Sequence, residues 1–413
     1  MDFKPRSHEK IQQLMDKGVD IPSPATLDIG DDVRLDQISG KGVKMYPGCR
    51  IYGNQTVVSS GCQLGYEAPV TMENCQLGAN VELKGGFFHR SVFLEKSSMG
   101  LGAHVREGCL IEEQASGAHC VGLKQTILFP FVTLGSLVNF CDCLMAGGTS
   151  RRNHSEVGSS YIHFNFTPEG DKATPSLIGD VPKGVMLNQP PIFLGGQGGL
   201  IGPLRIGYGN VVAAGSILRK NYDQGNQLIF AAGPARSIQI SRPAPYADIM
   251  GILENNLLYL ANLKALEQWY INVRKPFLET DKFGSLLYRG AADALSLAVK
   301  ERLQRLNMMA KRAAIISANH QDQDVQVLSE HIDDLENILS GPVPGETINA
   351  LQDDFLNTFA AWRGNASLSY LDVMGKLPSD ISAKGVRWLQ NIVDYYCQKT
   401  ASVLSSPRLF KRL

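Results

Sequence analysis

A pair made of an apolar residue and a glycine recurs through the first part of the chain: Ile29-Gly30, Leu64-Gly65, Leu77-Gly78, Leu101-Gly102, Leu134-Gly135, Val157-Gly158, Ile178-Gly179 and Ile206-Gly207. The tetrapeptide CQLG appears twice, thirteen residues apart. Between these pairs, segments such as LGANVEL, LGAHVREG, LGSLVN and IGYGNVVAAGSIL set apolar residues close to every sixth position, with small residues and turn formers between them. A strand that short cannot bury its apolar side alone, so successive coils must stack, and glycine serves where the chain turns a tight corner. The pattern predicts a parallel β-helix. Cys49, Cys62, Cys75 and Cys109, in GCRI, GCQL, NCQL and GCLI, fit as small buried positions of the repeat rather than disulfide partners or metal ligands. The repeat is uneven, and loops are expected at 85–90, 147–154, 167–175 and 181–191, where Gly, Pro and polar residues gather.

Beyond about Ser241 the repeats stop. In DIMGILENNLLYLANLKALEQWY, Ile249, Leu253, Leu257, Leu260 and Leu263 recur at three- and four-residue steps and predict a helix, and similar patterns continue to the end, broken by GPVPG at 341–345 and LPSD at 377–380. We therefore expect a β-solenoid plus α architecture: an N-terminal helical lead over 1–27 (a helix near 7–17 closed by Gly18), a parallel β-helix over 28–240 and an all-helical domain over 241–413. Forty basic residues balance forty acidic ones, so no overall field selects nucleic acid or an acidic membrane. No apolar run is long enough for a membrane span, the N-terminus has no signal-like core, and eight cysteines occur without a Cys-x-x-Cys pair. A cytoplasmic protein with reduced thiols is expected.

Several chemical signals are absent. GGQGGLIGP has the glycines of a phosphate loop but no following Lys-Ser/Thr. His104, His119, His154 and His163 do not show the spacing of a three-histidine zinc site, Cys141-x-Cys143 gives zinc little support, and no metal is expected. Serine-hydrolase signatures are missing. The stretch SEVGSSYIHFNFTPEGDKATPSLIGD is more informative. Strand alternation there would put Ile162, Phe164 and Phe166 on a core face and His163 and Asn165 on the opposite, outward face.

REGCLIEEQASGAH, IHFNFTPEG with LIGD, FLGGQGGLIGPLRIGYGNVVAAGSIL and AAGPARSI together resemble the acetyltransferase half of the bifunctional UDP-N-acetylglucosamine pyrophosphorylase/glucosamine-1-phosphate acetyltransferase family, whose fold is a trimeric left-handed β-helix. The resemblance covers about a third of the chain, residues 100–240. It implies a left-handed coil, a homotrimer and an acetyl-CoA donor. It also implies that Arg106 and, more loosely, Lys124 bind the diphosphate of the nucleotide sugar, and that Asn165-Phe166 matches an Asn-Tyr pair at the donor end of the cleft. Gly196, Ala213 and Ala214 would line the pantetheine channel, with Arg236 in the basic closing segment. Two departures stand out: Asp142 occupies the position of the family's catalytic histidine, and Met145 that of its sugar-phosphate-binding tyrosine. An extra segment, TSRRNHSE, follows. No Gly-rich nucleotidyltransferase loop precedes the β-helix, which argues against pyrophosphorylase chemistry.

Acyl transfer from a thioester to an amine needs a base and donors for the oxyanion. His163 and His154 are the candidate bases, Asp142 is a residue that would orient a base or replace it, and Asn165 is a candidate donor. Arg151 and Arg152 offer guanidinium forks suited to a diphosphate. The sequence thus points to a CoA-dependent N-acyltransferase acting on a nucleotide-linked or phosphorylated amino sugar such as a UDP-N-acetylglucosamine relative. The alternative is a non-catalytic nucleotide-sugar-binding or scaffold protein that has lost the catalytic histidine.

Overall fold

The apolar repeats stack as coils of a parallel β-solenoid of about 11 turns over residues 28–229, followed by a helical C-terminal region. The structure is a computed structural model that describes residues 6–164, 173–231, 249–317, 323–343, 345–364, 368–405 and 409–410. Each coil contributes short strands to three faces. The first face runs through Arg50–Tyr52, Val70–Glu73, Gly86–His89, Ala103–Val105, Ile162–Phe164 and Gly199–Ile201; the second through Gln76–Leu77, Ser91–Phe93, Cys109–Ile111, Ser176–Ile178 and Arg205–Ile206. The third is a 10-stranded sheet from Lys44–Met45 to Leu228–Ile229. Two longer strands, Gly122–Leu128 and Asn139–Met145, carry the chain from the first face to the second without a break, pivoting at Gln125 (φ 49°) and Asp142 (φ 59°).

Stacking in register builds the interior. Phe88, Val105, Leu123 and Phe140 pair in sequence along the first face and are buried, as are Leu200 and Leu218 further on. Cys49, Cys62, Cys75 and Cys109 are fully buried repeat positions, and all eight cysteines are free. A helix, α1 (His8–Asp16), packs Ile11 and Leu14 into the same core, and Gly18 (φ 103°) redirects the chain after it.

Two expectations about this half are overturned. GGFFHR at 85–90 is not a loop: Gly86–His89 is a strand, paired with Val70–Glu73 and Ala103–Val105, because its outward Phe87 and inward Phe88 fit the coil. The face assignment at 161–166 is reversed. His163 is 5% exposed and Tyr161 fully buried, whereas Ile162 is 45% exposed and Phe164 half-buried; Phe166 lies outside the described residues. The reason is register. Ile162 pairs with the outward Asn139, so His163 falls in the interior row that contains Phe140 and Leu200.

The expected loop at 147–154 is a small antiparallel hairpin, Gly148–Ser150 with Asn153–His154, and the one at 181–191 opens with a short helix, α2 (Val181–Gly184). The C-terminal helices are α3 (Ile249–Trp269), α4 (Lys275–Leu278, entered through a π-helical turn at Tyr270–Arg274), α5 (Gly284–Ser317), α6 (Gln323–Ser340), α7 (Glu346–Arg363), α8 (Tyr370–Met374) and α9 (Ser379–Val403). The predicted stripe of α3 is buried, and so are Asn256, Asn262 and Lys264 on its other sides. This helix is enclosed because it lies between the solenoid and the outer helices: Asn262 Oδ1 accepts from the Val181 N–H at 2.9 Å, while Trp269 stacks on Phe355 with ring centres 5.8 Å apart. Next to it α5 packs along the second face, against the strands at 76–77, 91–93 and 109–111. Among the described residues no helix is long and apolar enough to cross a membrane.

Candidate functional site

Among the described residues the first face is largely exposed, and its outward residues form two parallel rows. One row contains Phe87, His104, Gly122, Asn139 and Ile162, in register from coil to coil. Phe87 and His104 meet edge to face with ring centres 5.2 Å apart, and the next position, Gly122, leaves a notch before Asn139. The second row, two residues along each strand, brings His89, Arg106, Lys124 and Cys141 together. Val105 pairs with Leu123, and the Arg106 N–H donates to the Leu123 carbonyl at 2.8 Å, so Arg106 and Lys124 are neighbours on adjacent coils.

Around this pair the charges are mixed. Lys124 Nζ lies 2.9 Å from Glu107 Oε1, and His89 Nδ1 lies 3.9 Å from the other oxygen of the same carboxylate. Arg106 Nη2 donates to Cys141 Sγ at 3.8 Å, and the guanidinium is otherwise exposed. The Cys141 thiol is pushed up by burial and then by the Asp142 charge, which makes it a poor nucleophile. Phe87, His89 and Glu107 are not marked out as site residues by the sequence motifs, and His104 is weighed there only as a zinc ligand. Their signal was there in FFHR and AHVRE, where outward positions two apart carry rings and charges.

Asp142 stands apart from this surface. It sits at the corner between the first and second faces, and its Oδ1 accepts from Arg302 Nη2 of α5 at 2.6 Å with the carboxylate 13% exposed. Burial raises its pKa, opposed by Arg302. Met145 is fully buried.

His163 lies within the coil, its Nε2 2.9 Å from Ser176 Oγ. Gly202 makes the ring's position possible, since a Cβ there would come within 2.4 Å of Nε2. Burial pushes the His163 pKa down to about 4, so the ring is neutral near pH 7.

The hairpin carries the remaining polar candidates to another edge, beside the third face. Arg151 Nη1 donates to the carbonyls of Gln114 (3.0 Å) and Phe131 (3.3 Å) and to Thr133 Oγ1 (3.0 Å), so this guanidinium clamps three coils. The Arg152 side chain is exposed and has no hydrogen bond or ion pair among the described residues. His154 Nδ1 is 2.9 Å from the Arg151 carbonyl oxygen, and its Nε2 is 3.9 Å from Glu156. A carbonyl only accepts, so Nδ1 carries the proton and Nε2 of the neutral ring holds a free lone pair.

Further along, Gly196, Ala213 and Ala214 lie near the corner between the third and first faces. A Cβ at Gly196 would come within 2.8 Å of the Ser159 carbonyl oxygen, so the strip must stay narrow there. Beside it the third face presents Phe193, Val211 and Leu228 outward in register, a partly exposed apolar ladder. Asn165 and Arg236 lie outside the described residues. Among the described residues, no group of three or more His, Cys, Asp or Glu side chains is placed to hold a metal ion.

The sequence candidates therefore form three separate groups in one chain: Arg106 with Lys124 on the first face, His154 with Arg151 and Arg152 on the hairpin, and the small residues at the corner. Asp142 and His163 are engaged in contacts of the fold.

No family model matches the chain. It is 27% identical over 212 residues to the bifunctional protein GlmU of Thermotoga maritima, a stretch making up 51% of this chain and 42% of that protein. The GlmU protein of Fervidobacterium nodosum is 28% identical over 228 residues (55% of this chain, 44% of that one), and that of Lawsonia intracellularis 25% over 146 residues (35% and 28%). The matched part spans less than half the length of these relatives. Similarity over about half the chain, together with the β-solenoid, is consistent with the hexapeptide-repeat acetyltransferase domain of GlmU.

Proposed function

We propose that this chain is an acyltransferase-like protein of the cytoplasm that binds a nucleotide-linked or phosphorylated amino sugar on its first face and moves an acyl group, acetyl in the simplest case, from a CoA thioester to the sugar amine. The observation that carries this reading is the adjacent pair Arg106 and Lys124, two cations in register on an open sheet, within the stretch that resembles the acetyltransferases. Such a pair suits a phosphate or diphosphate group, Arg as a fork and Lys as a point charge. The notch at Gly122, walled by His104 and Asn139, gives a ring room to lie against the sheet.

When bound along the corner of Gly196, Ala213 and Ala214, the CoA thioester supplies the carbonyl that the amine attacks. The chain must then supply a base. His154 is the candidate whose geometry suits the task, with Nε2 free to take the amine proton as the new amide bond forms and the thiolate leaves. Because the hairpin and the first face lie apart in one chain, we assign the complete site to a homotrimer in which neighbouring copies combine them, as in the related acyltransferases. The ligand-facing work of this chain is to hold the phosphates at Arg106 and Lys124 and to accept one proton at His154.

A second reading is a nucleotide-sugar-binding protein without turnover. It is favoured by the Asp142 pair with Arg302, which fills the position of the family's base. One experiment separates them: thermal shift with UDP-sugars and acetyl-CoA, followed by an acetyl-transfer assay on glucosamine 1-phosphate and UDP-linked amino sugars. Stabilisation by both ligands with transfer that falls about 10²–10⁴-fold in His154→Ala supports the enzyme. Stabilisation by the UDP-sugar without turnover supports the binder, and no stabilisation by either ligand ends both readings.

A further inference from the structure

Far from the first-face cations, at the N-terminal end of the solenoid, a cavity of about 470 Å³ is lined by Lys17, Lys41 and Lys282 together with Ser39, Ser60 and Phe283. The three lysines come from three segments: the C-terminal end of α1, the turn before the strand Lys44–Met45, and the loop ahead of α5. Among the described residues no carboxylate lines the cavity. Two acids stand outside the lining with other partners: Asp36 pairs with Arg34 at 2.7 Å, although its charge still reaches Lys17, and Asp281 accepts from the Phe283 N–H at 3.0 Å.

This convergence is built rather than incidental. Lys17 Nζ is fixed by the carbonyls of Leu35 (2.7 Å) and Ile38 (2.5 Å). Gly40 lets the turn close on the end of α1, because a Cβ there would come within 1.8 Å of the Lys17 carbonyl oxygen. That close approach holds Lys17 and Lys41 on one cavity, and the Lys41 N–H donates to Ser39 Oγ at 3.1 Å. The side chains of Lys41 and Lys282 make no ion pair or hydrogen bond among the described residues, and the Lys282 ammonium only lies over the Phe283 ring at 5.0 Å. Burial and then the Lys282 charge lower the pKa of Lys17, as like charges brought together should.

We propose that this cavity is a second anion site, for a small molecule carrying a phosphate or diphosphate, which joins the start of the solenoid to the loop leading into α5. Three lysines lining one space, with Asp36 the only acid acting on Lys17 among the described residues, repel one another, and a multiply charged phosphate relieves that repulsion while accepting their hydrogen bonds. The seryl hydroxyls add neutral donors, and the volume leaves room for a group attached to the phosphate. The site does not depend on acyl transfer and shares no residue with the first-face pair.

The test is a titration of the full chain with inorganic pyrophosphate at constant ionic strength, followed by calorimetry and thermal shift. Saturable binding with a raised Tm is expected. Lys41→Gln with Lys282→Gln should weaken that binding about tenfold or more, the scale of one lost charge-assisted hydrogen bond. Arg106→Gln with Lys124→Gln should leave this high-affinity phase in place, which separates the site from the first-face reading. Without ligand, the Lys41/Lys282 variant should melt at the same or a higher temperature than the parent, because repulsion has been removed. Absence of saturable binding, unchanged affinity in the Lys41/Lys282 variant, or a lower ligand-free Tm in that variant would overturn the proposal. So would binding confined to vesicles containing a phosphoinositide, which would make the cluster a membrane contact.

Discussion

The first and second faces of the solenoid are made by the same repeat and have different fates. At the edges of the second face, buried carboxylates meet the helical region. Glu113 Oε1 accepts from Arg274 Nη2 at 2.6 Å, the Tyr270 hydroxyl donates to Glu112, and Asp142 pairs with Arg302. Arg274 is fully buried and stacks on Tyr370, its guanidinium carbon 3.8 Å from the ring centre. On the first face the same kinds of side chain stay wet, as in the pair of Lys124 with Glu107. Charge buried under a cover fixes how the two halves of the chain dock; charge left open is available to a ligand.

The sharpest way to break this contrast is to remove one partner on each face. Arg302→Ala should destabilise the protein by about 3–5 kcal/mol because it strands the buried Asp142, whereas Lys124→Ala should cost about 1 kcal/mol or less. Urea denaturation of both variants checks this, and equal losses would refute the distinction.

Titration sharpens the comparison further. His163 has its pKa near 4 in the fold against 6.5 in the open chain, so between these values the unfolded state binds more protons. Stability should fall by about 3 kcal/mol as pH drops from 6.5 to 4 on this account. His163→Leu should flatten that part of the stability profile.

Glu112 acts in the opposite sense. Burial pushes its pKa up to about 7 from 4.5, against the nearby Arg274 charge, so the folded state holds the extra proton and stability should fall as pH rises from 4.5 through 7. Glu112→Gln should remove that decline. A stability profile unchanged in slope by either substitution would show that neither group titrates as its surroundings imply. The smallest effect on stability belongs to the open face: Arg106→Gln with Lys124→Gln should shift it by about 0.5–1 kcal/mol, yet remove most of the affinity for a UDP-sugar in calorimetry.

How much of this the sequence disclosed depends on the range of the interaction. Cys49, Cys62, Cys75 and Cys109 were legible as core positions because each repeats the same local frame, and they are buried. The helix of Ile249, Leu253, Leu257, Leu260 and Leu263 was legible for the same reason. The phase of Ile162, His163 and Phe164 was not. Alternation restarts at each corner of a coil, so which residue points inward is set by the neighbouring coils, here by Asn139 below and Gly199 above. Local alternation favoured the aromatics for the core, and the register placed the histidine there. The partner of Asp142 lies 160 residues away in α5, beyond any local pattern. Arg106, in REG, and more loosely Lys124 were named through the family resemblance; their adjacency, and the Phe87 and His104 rings on the same face, needed the stacking of coils to come together.

The helices laid along the second face have a mechanical consequence. A stack of coils in which each touches only its neighbours can fray from either end, one coil at a time. Here the middle coils, around Cys109–Ile111 and Asn139–Met145, are tied sideways by Arg274 and Arg302 to elements far along the chain. The solenoid is therefore belted at the waist. The belt reaches on to the coil of Arg205, which Glu254 of α3 holds at 3.2 Å, so amide exchange should be slower at 109–145 than in the first coils, and the first face at Arg106 and Lys124 keeps its shape because it is the back of the belted segment.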